Sequence, residues 1–296
     1  MCCRVALPSR QWELRLRVRA VGLAHRHERR VIYIRVIEPI IVDYPEDWKD
    51  ATIYPIYDVH VGSPEFDEKA FTAYIQRIQA DPRGLVILGG DLIDNATRHS
   101  VSNIYEAPMM PMKQKKLVTE MLKPISRKVI AVVTGNHERR TMKDVGQDIT
   151  YDVCTKLDLE DKYRDGMAFI KLRFGRNATH TSNGNLIMYT ILATHGAGGG
   201  MYLGGTINKT ENFINSVDGV DIMVTGHVHK IGISRPTKLI FDSNHNCVTP
   251  REMLNVICGA WTQYGGYAAE KLLRPGSMGA ARIMLSGSRK EYEAVV

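Results

Sequence analysis

One pattern constrains the fold of this chain more than any other: a short apolar run that leads, mostly through small residues, into a carboxylate, amide or imidazole. The instances are Ile53 to Tyr57 before Asp58, Leu85 to Leu88 before Gly89-Gly90-Asp91, Val129 to Val133 before Thr134-Gly135-Asn136-His137, Leu186 to Leu192 before Ala193-Thr194-His195, and Ile222 to Val224 before Thr225-Gly226-His227. Continuous apolar runs of this length are typical of strands buried on both faces. In α/β sheets, ligands bind outside the carboxyl ends of the strands, where these polar residues fall. The pattern predicts an α/β fold with its functional site at that edge.

Helices are predicted between these strands, at Glu68 to Gln79 and at Lys113 to Leu122. Before them, Trp12 to Val21 alternates apolar and polar residues and Val31 to Val42 is rich in β-formers, which indicates a hairpin around Gly22 to Arg30. The polar segment 45–50 then separates two regions. Residues 1–48 are interpreted as an N-terminal arginine-rich β-hairpin extension, and residues 49–296 as the main domain.

Positive charge is concentrated in the extension. Residues 1–42 contain nine arginines and three glutamates, which accounts for +6 of the formal net charge of +7. A solvated arginine face on an edge strand is ordinary protection against edge-to-edge pairing. The other interpretation is a docking surface for nucleic acid. The rest of the chain is nearly neutral and does not by itself indicate a polyanionic substrate.

Several classes of protein are disfavoured by composition. The five cysteines are scattered and form no C-x-x-C pair, which argues against a disulfide framework or a zinc knuckle. No apolar run approaches the roughly 18 residues of a membrane span, and residues 1–10 lack the apolar stretch of a secretory signal. A cytoplasmic protein without membrane contact is expected. No feature assigns an oligomeric state.

The polar residues have the chemistry of transition-metal ligands. Asp58 and His60 are two residues apart at a strand end, so that strand alternation is expected to place both side chains on one side. His227 and His229 repeat this spacing. Imidazole and carboxylate together suit manganese, iron or zinc better than magnesium or calcium.

In this order, the blocks resemble the signature of the calcineurin-like metallophosphoesterase superfamily over residues 58–229. They are Asp58-Val59-His60, Gly90-Asp91-Leu92-Ile93-Asp94, Gly135-Asn136-His137-Glu138, Thr194-His195-Gly196 and Gly226-His227-Val228-His229. The resemblance implies a four-layer α/β/β/α sandwich of two mixed sheets, with a dimetal site at the strand ends. It makes residues 49–296 a metallophosphoesterase domain.

The resemblance also implies the ligand set. Asp58, His60 and His229 would hold one divalent transition-metal ion, Asn136, His195 and His227 the other, and Asp91 would bridge them. A shared carboxylate suits two cations that lie about 3.5–4 Å apart. Manganese is preferred, and iron, zinc or nickel are the alternatives.

The implied reaction is hydrolysis of a phosphate ester by in-line attack of a metal-bridging hydroxide. His137 would be the general acid for the leaving oxygen or a hydrogen-bond donor to the phosphoryl group. Asp94 matches the position that orients this histidine. The implied substrate is a phosphate ester.

One departure from the family bears on the substrate. In the protein-phosphatase branch an arginine follows the equivalent of Asp94 and binds phosphate, whereas this chain has Asn95. A phosphodiester, nucleotide-type or nucleic acid, is therefore preferred over a phosphoprotein. Four further residues could reach a phosphate or be solvated surface residues: Arg98, His99, Arg139 and Arg140. The glycine-rich segment 196–205 could approach a substrate or simply be a flexible connection.

Two alternatives stay open. One is a metal-dependent DNA nuclease, similar to recombination-repair exonucleases, that uses the basic arm. The other is a non-catalytic scaffold that keeps the metals without turnover. The remaining histidines match no block and are interpreted as surface residues; they are His25, His27, His180 and His245.

Overall fold

The computed structural model describes residues 13–14, 34–35, 37–44, 48–97, 100, 105, 107–175, 186–198 and 202–296. Contacts divide the chain into two compact units, Met1–Glu38 and Pro39–Val296. In the first unit, Glu13–Leu14 pairs with Ile34–Arg35 in antiparallel orientation. The turn predicted at Gly22 to Arg30 lies outside the described residues.

The strands are, in chain order, β1 (Glu13–Leu14), β2 (Ile34–Arg35), β3 (Ile40–Tyr44), β4 (Asp50–Ile56), β5 (Gly84–Leu88), β6 (Val129–Val133), β7 (Tyr163–Arg164), β8 (Met167–Phe174), β9 (Ile187–Thr194), β10 (Ile222–Thr225), β11 (Gly232–Ser234), β12 (Thr237–Asp242), β13 (Cys247–Glu252), β14 (Leu254–Ile257), β15 (Arg282–Ser286) and β16 (Tyr292–Val295). The α-helices are α1 (Glu68–Ala80), α2 (Pro111–Leu122), α3 (Glu138–Val145), α4 (Ile149–Lys156), α5 (Leu203–Asn215) and α6 (Gly266–Glu270). Short 3₁₀ helices cover Lys123–Lys128 and Glu160–Lys162.

In the described part of the second unit, two six-stranded mixed sheets form the body of the fold. Sheet I has the order β16-β15-β4-β5-β6-β7, in which β4 to β7 are parallel and β15 and β16 add an antiparallel edge. Sheet II has the order β11-β14-β10-β9-β8-β3, in which β9, β10 and β14 are parallel. The pair β12 and β13 forms a separate two-stranded ribbon.

The sheets stack face to face, as alternation along the strands of sheet I shows. Ile53 and Ile87 point into a core that they share with Ile191 of sheet II. Their neighbours Tyr54 and Leu88 point the other way, into a second core with residues of α1, α2 and α4. Side chains that alternate between two cores make each strand apolar throughout. The prediction of strands buried on both faces is confirmed for β5, β6 and β10, in which every residue is buried. In β9, Met188 is exposed.

A helix covers the outer face of sheet II. Ile214 of α5 packs in a third cluster with Leu192 of β9 and Met223 of β10. With the helices on sheet I, this completes four layers in the order α/β/β/α, so the predicted fold class is confirmed.

The two predicted helices are also confirmed. The helix predicted at Glu68 to Gln79 is α1, which begins after Asp67; the Asp67 carboxylate accepts a hydrogen bond from the Ala70 N–H at 2.9 Å. The helix predicted at Lys113 to Leu122 is α2, which begins at Pro111. Proline lacks an N–H, but the first N–H groups of a helix have no acceptor within the helix, so no hydrogen bond is lost at this position.

Residues 40–44 belong to the second unit by their contacts. Ile40–Tyr44 pairs in parallel with residues 170–174 of β8, and Ile40 is buried in the core between the sheets. The contact division lies between Glu38 and Pro39. None of the helices in the described part of the chain has the length and apolar character that crossing a bilayer requires.

Candidate metal centre and active-site cleft

The loops that follow five strands meet at one edge of the stacked sheets. β4, β5 and β6 of sheet I end before Asp58, Asp91 and Asn136, and β9 and β10 of sheet II end before His195 and His227. Because parallel strands end at the same edge, residues far apart in the chain become neighbours. The site therefore consists of residues from loops of both sheets.

One group of side chains in a metal-binding arrangement consists of Asp58, His60 and His229. The Nε2 atoms of His60 and His229 lie 3.0 Å apart, and Asp58 Oδ1 lies 3.9 Å and 3.4 Å from them. Asp58 is fully buried, and its Oδ1 accepts no hydrogen bond. A buried carboxylate oxygen without a donor is costly unless a cation compensates it.

The backbone brings these side chains together in a different way from the one expected. β4 ends at Ile56, so strand alternation does not explain why Asp58 and His60 converge, and that explanation was wrong. Five residues of the site have left-handed backbone conformations, with φ between 50° and 71°: Asp58, His60, Asp91, His227 and His229. Such φ values are uncommon outside glycine and mark strain that concentrates at functional sites.

The second group consists of Asn136, His195 and His227. Asn136 Oδ1 lies 2.8 Å from His195 Nε2 and 2.7 Å from His227 Nδ1. His195 Nδ1 lies 2.9 Å from the carbonyl oxygen of Gly89. Because a carbonyl only accepts, Nδ1 carries a proton, and Nε2 is the ring nitrogen that faces the site.

Asp91 lies beside this group. Its Oδ1 accepts a hydrogen bond from the His137 N–H at 2.8 Å, while Oδ2 lies 3.3 Å from His195 Nε2 and 3.7 Å from His137 Nε2. Asp91 also forms a potential metal-binding group with His195 and His227.

Glycine is required where the loops approach each other. A Cβ atom on Gly226 would lie 2.4 Å from Asp58 Oδ2, and one on Gly135 would lie 2.1 Å from Asp91 Oδ1. The oxygen of Asp58 at this contact accepts a hydrogen bond from the His227 N–H at 2.7 Å. Any side chain at residue 226 would therefore separate the loops.

His137 is held by residues on both sides. Its Nδ1 lies 2.6 Å from the carbonyl oxygen of Asp94, and its Nε2 lies 2.9 Å from Arg140 Nη2. The Asp94 carboxylate is more distant, with Oδ1 3.6 Å from Nδ1. The closer contact of Asp94 with the histidine is thus made by its backbone carbonyl. His60, Asp94 and His137 form a further group of potential ligands.

No role was predicted for Glu138, whose carboxylate connects the loops of the site in the structure. This buried carboxylate accepts hydrogen bonds from the backbone N–H groups of Asp91 (2.9 Å), Leu92 (2.6 Å), Ile93 (3.2 Å) and Gly135 (3.2 Å). It ties the loop after β5 to the loop after β6. The position of Glu138 directly after Asn136-His137 is the sequence feature that could have indicated this role.

The charges of the site are strongly coupled. Burial, and then repulsion by His137 and His229, holds the pKa of His60 well below its usual value. Burial would also lower the pKa of His195, but attraction and a hydrogen bond to Asp91 raise it to about 10. Burial would raise the pKa of Asp91, but His195 and His137 hold it well below its usual value. His60 is therefore neutral, whereas Asp91 and His195 form an ion pair.

A cleft of about 500 Å³ opens over these residues. His60, His137, His227 and His229 form its floor, and residues 260–277 contribute much of its wall, among them Tyr264, Ala268, Leu273 and Arg274. The sequence did not single out this wall, because its residues match no motif.

Other residues considered from the sequence lie elsewhere. The Arg139 guanidinium pairs with Asp165, outside the cleft lining. His245 is exposed and pairs with Asp242 at 2.7 Å, as a surface histidine would. Several residues considered from the sequence lie outside the described part of the chain: His25, His27, Arg98, His99, His180 and residues 199–201 of the glycine-rich segment.

Comparison with known proteins agrees with the resemblance. A family model described as calcineurin-like phosphoesterase matches residues 58–231, more than half of the chain. No curated protein gives a match.

Solved structures that match the chain include a conserved protein from Streptococcus pneumoniae TIGR4 described as a predicted phosphoesterase (12% identity, 83% of this chain and 98% of that chain, TM-score 0.33). A second is the protein described as the anchor in the inner membrane complex of Plasmodium (11%, 83% and 88%, TM-score 0.38). A third is a Thermotoga maritima protein (12%, 83% and 99%, TM-score 0.30). With scores this low, the family assignment depends on the sequence match.

Proposed function

The chain belongs to the calcineurin-like phosphoesterase family and is a metal-dependent phosphoesterase, and we propose that it hydrolyses phosphodiesters of a nucleotide or nucleic-acid type in the cleft above His137. Support comes from the chemistry of the family and from the contacts of the side chains that face the cleft.

We assign the metal ligands as two groups. Asp58, His60 and His229 would hold one divalent ion, and Asn136, His195 and His227 the other, with Asp91 as the bridge. The support is the donor set itself. Asp58 Oδ1 is buried without a donor, and the two nearest imidazole nitrogens lie 3.4 Å and 3.9 Å away. A cation among them would satisfy all three atoms. Manganese suits this mixture of imidazole, carboxylate and amide, as do iron, zinc and nickel.

When bound, two divalent ions supply Lewis-acid chemistry: they lower the pKa of a water molecule and neutralise phosphoryl oxygens. The protein's own contribution is the placement of His137. Its Nδ1–H is fixed on the Asp94 carbonyl oxygen at 2.6 Å, which directs Nε2 into the cleft. From there, in its imidazolium form, Nε2 would donate a proton to the leaving ester oxygen.

The observation that carries the diester preference is the environment of Asn95. Its side chain is fully buried and donates hydrogen bonds to the His137 carbonyl oxygen (2.6 Å) and to Thr141 Oγ1 (2.9 Å). Asn95 therefore supplies no charge to the cleft at the position where the protein phosphatases have arginine. A phosphate monoester dianion carries more negative charge than a diester, so its binding depends more strongly on a positive side chain at this position.

The shape of the cleft agrees with this preference. Beyond His137 and His229 its lining includes Ala268 and Leu273 and the ring of Tyr264. Apolar and aromatic surface of this kind suits an organic substituent. A diester carries such a substituent on each side of the phosphorus atom.

The test is a panel of bis(p-nitrophenyl) phosphate, p-nitrophenyl phosphate, cyclic nucleotides and DNA, assayed with manganese, nickel, iron or zinc. We expect kcat/KM for the diester to exceed that for the monoester by about tenfold or more. A faster monoester reaction would refute the diester proposal and leave the phosphoesterase assignment intact.

If the protein is instead a DNA nuclease that binds DNA through its basic arm, a different result is expected. DNA cleavage would fall steeply with added salt, because cationic contacts to phosphates release counterions. Removal of residues 1–38 would abolish it and spare the chromogenic diester. The truncation ends before Ile40–Tyr44, because this strand is part of sheet II. Salt-independent DNA cleavage that survives the truncation would exclude a role for the arm.

A further inference from the structure

Arg140 directs a guanidinium into the cleft beside His137. It lies in the first turn of α3, which begins immediately after the loop of Asn136 and His137. Its side chain is half-buried and lines the cleft together with His137 and His229. Nη2 lies 2.9 Å from His137 Nε2, and Nη1 donates to the Asp94 carbonyl oxygen at 3.1 Å. The guanidinium is thus next to the nitrogen expected to face the leaving oxygen.

The acceptors of Arg140 carry no charge. Among the described residues it forms no ion pair, and its two hydrogen-bond acceptors are a carbonyl oxygen and an imidazole nitrogen. A guanidinium has five N–H donors in a fixed fork, so most of them stay available. Such an arginine is suited to bind an anion with several oxygens. Charge-assisted, bidentate hydrogen bonds from a guanidinium to phosphate are stronger than hydrogen bonds between neutral groups.

The contact with His137 also indicates that Arg140 must change partner. Because Nδ1 of His137 faces a carbonyl oxygen, Nδ1 carries the proton, and Nε2 accepts from Arg140. A leaving oxygen that approaches Nε2 would need the position that Nη2 now occupies. Substrate and Arg140 therefore compete for the same nitrogen, and the guanidinium must turn toward another acceptor when substrate binds.

We propose that this other acceptor is a non-bridging oxygen of the substrate phosphate, which makes Arg140 a substrate-binding residue. The inference rests on the proposed function, since it names the residue that binds the phosphoryl group in that reaction. Arg140 would approach the phosphate from the start of α3, at a position different from that of the buried side chain of Asn95. The cation would come from a different part of the chain and approach the phosphate from the side of His137.

Arg139 provides a matched control. It precedes Arg140 in the same helical turn, but its guanidinium pairs with Asp165 and does not line the cleft. Replacing either arginine by glutamine removes one positive charge from α3. Only the replacement of Arg140 removes a donor from the cleft.

The experiment measures binding of inorganic phosphate to the metal-loaded full-length protein by calorimetry. It compares wild type with Arg140→Gln, Arg140→Lys and Arg139→Gln, and it includes metal content and kinetics with bis(p-nitrophenyl) phosphate. We expect Arg140→Gln to weaken phosphate binding and raise KM by about tenfold to a hundredfold, the loss typical of a hydrogen bond to a charged group. Its metal content and circular dichroism should match wild type. Arg139→Gln should stay within about twofold of wild type, and Arg140→Lys should fall between.

Chemical rescue gives a second readout. In Arg140→Ala, added guanidinium ion should restore part of the phosphate affinity, whereas urea, which has the same shape and no charge, should not. If Arg140→Gln does not fold, the Arg140→Lys and Arg140→Ala variants decide the question by the same two measurements.

The outcomes separate the two proposals. Unchanged phosphate affinity and KM in a folded, metal-loaded Arg140→Gln protein would overturn the inference and leave the proposed function standing. If the wild type hydrolyses no ester in the panel and yet loses phosphate binding with Arg140→Gln, the phosphate contact is supported and the proposed function fails alone.

Discussion

Glu138 Oε2 accepts a hydrogen bond from the backbone N–H of Asp91 at 2.9 Å, across 47 positions of sequence. The same carboxylate binds the N–H groups of Leu92, Ile93 and Gly135. Burial, and then the neighbouring charge of Asp91, raise the pKa of Glu138. The buried carboxylate of Glu138 is needed because it accepts hydrogen bonds from four backbone N–H groups at the base of the site.

We therefore expect Glu138→Gln to destabilise the fold by about 2–4 kcal/mol, because an amide nitrogen would face backbone donors that lose their acceptor. Urea unfolding of the metal-free protein measures this loss. Glu120→Gln is the control: this residue is exposed, and its carboxylate lies 3.9 Å from Lys116 Nζ. It should change stability by no more than about 0.5 kcal/mol. Equal effects of the two variants would contradict the role of Glu138.

Replacing Asp58 by asparagine should separate metal binding from folding. The amide keeps an oxygen for the His227 N–H, which now donates to Asp58 Oδ2 at 2.7 Å, but it loses the negative charge of Oδ1. We expect the manganese content, measured by plasma mass spectrometry, to fall from about two ions per chain to about one. With chelator present, the variant should be at least as stable as wild type, because the removed charge is buried and its Oδ1 accepts no hydrogen bond. A variant that binds metal fully would contradict the assignment of Asp58 as a ligand.

The contact between Gly226 and Asp58 gives a steric prediction. A methyl group on residue 226 would lie 2.4 Å from Asp58 Oδ2 and 2.6 Å from Tyr57 Cδ1, so Gly226→Ala must push Asp58 aside. We expect a loss of about 1–3 kcal/mol in stability, the usual cost of overpacking, together with weaker manganese binding by calorimetry.

Gly204→Ala is the control for this substitution. Gly204 lies in α5, and a Cβ atom there meets nothing within 4 Å. Alanine should stabilise that helix by roughly 0.5–1 kcal/mol and leave metal binding unchanged. If Gly226→Ala behaves in the same way, the close approach of the two loops is wrong.

A pH dependence is expected from Cys154 of α4, far from the proposed metal ligands in sequence. Burial, followed by the charges of Asp148 and Glu160, raises the pKa of this thiol to about 12. The unfolded chain releases the proton near pH 8.5 and the folded chain keeps it, so stability falls as the pH rises through this window. The contribution of Cys154 should decrease by about 1.4 kcal/mol per pH unit above about 8.5.

Urea unfolding of wild type and Cys154→Ala between about pH 7 and pH 10 measures this contribution. The stability difference between the two proteins should be constant below about pH 8 and should shift in favour of the variant above it. A difference that stays constant throughout would show that the thiol does not titrate as described.

The fold and the positions of the site residues were predictable because the information is local. Each apolar run identified a strand, and the polar residue after it was already in place. Parallel strand order then brought Asp58, Asp91 and His195 to one edge without any knowledge of their contacts. Strands buried on both faces, as in β5, are also the easiest to identify, since they are apolar without interruption.

Other features depend on long-range contacts that no local pattern encodes. Ile40–Tyr44 has the composition of a strand, but its pairing with a strand 130 positions away assigns it to sheet II. Arg139 and Arg140 are adjacent and chemically identical, and only the direction of each side chain separates a surface ion pair from a cleft residue. The spacing of Asp58 and His60 suggested strand alternation, whereas the two side chains converge through left-handed backbone conformations.

Those conformations determine which substitutions can be interpreted at this site. At Asp58, His60, Asp91, His227 and His229 the left-handed conformation costs an ordinary residue about 1–2 kcal/mol, whereas asparagine adopts it more readily. An alanine scan would therefore combine the loss of a ligand with a change in backbone preference, and the two effects could not be separated. Asparagine substitutions keep the backbone and change only the ligand atoms, so they form the appropriate mutational series for measuring what each side chain contributes.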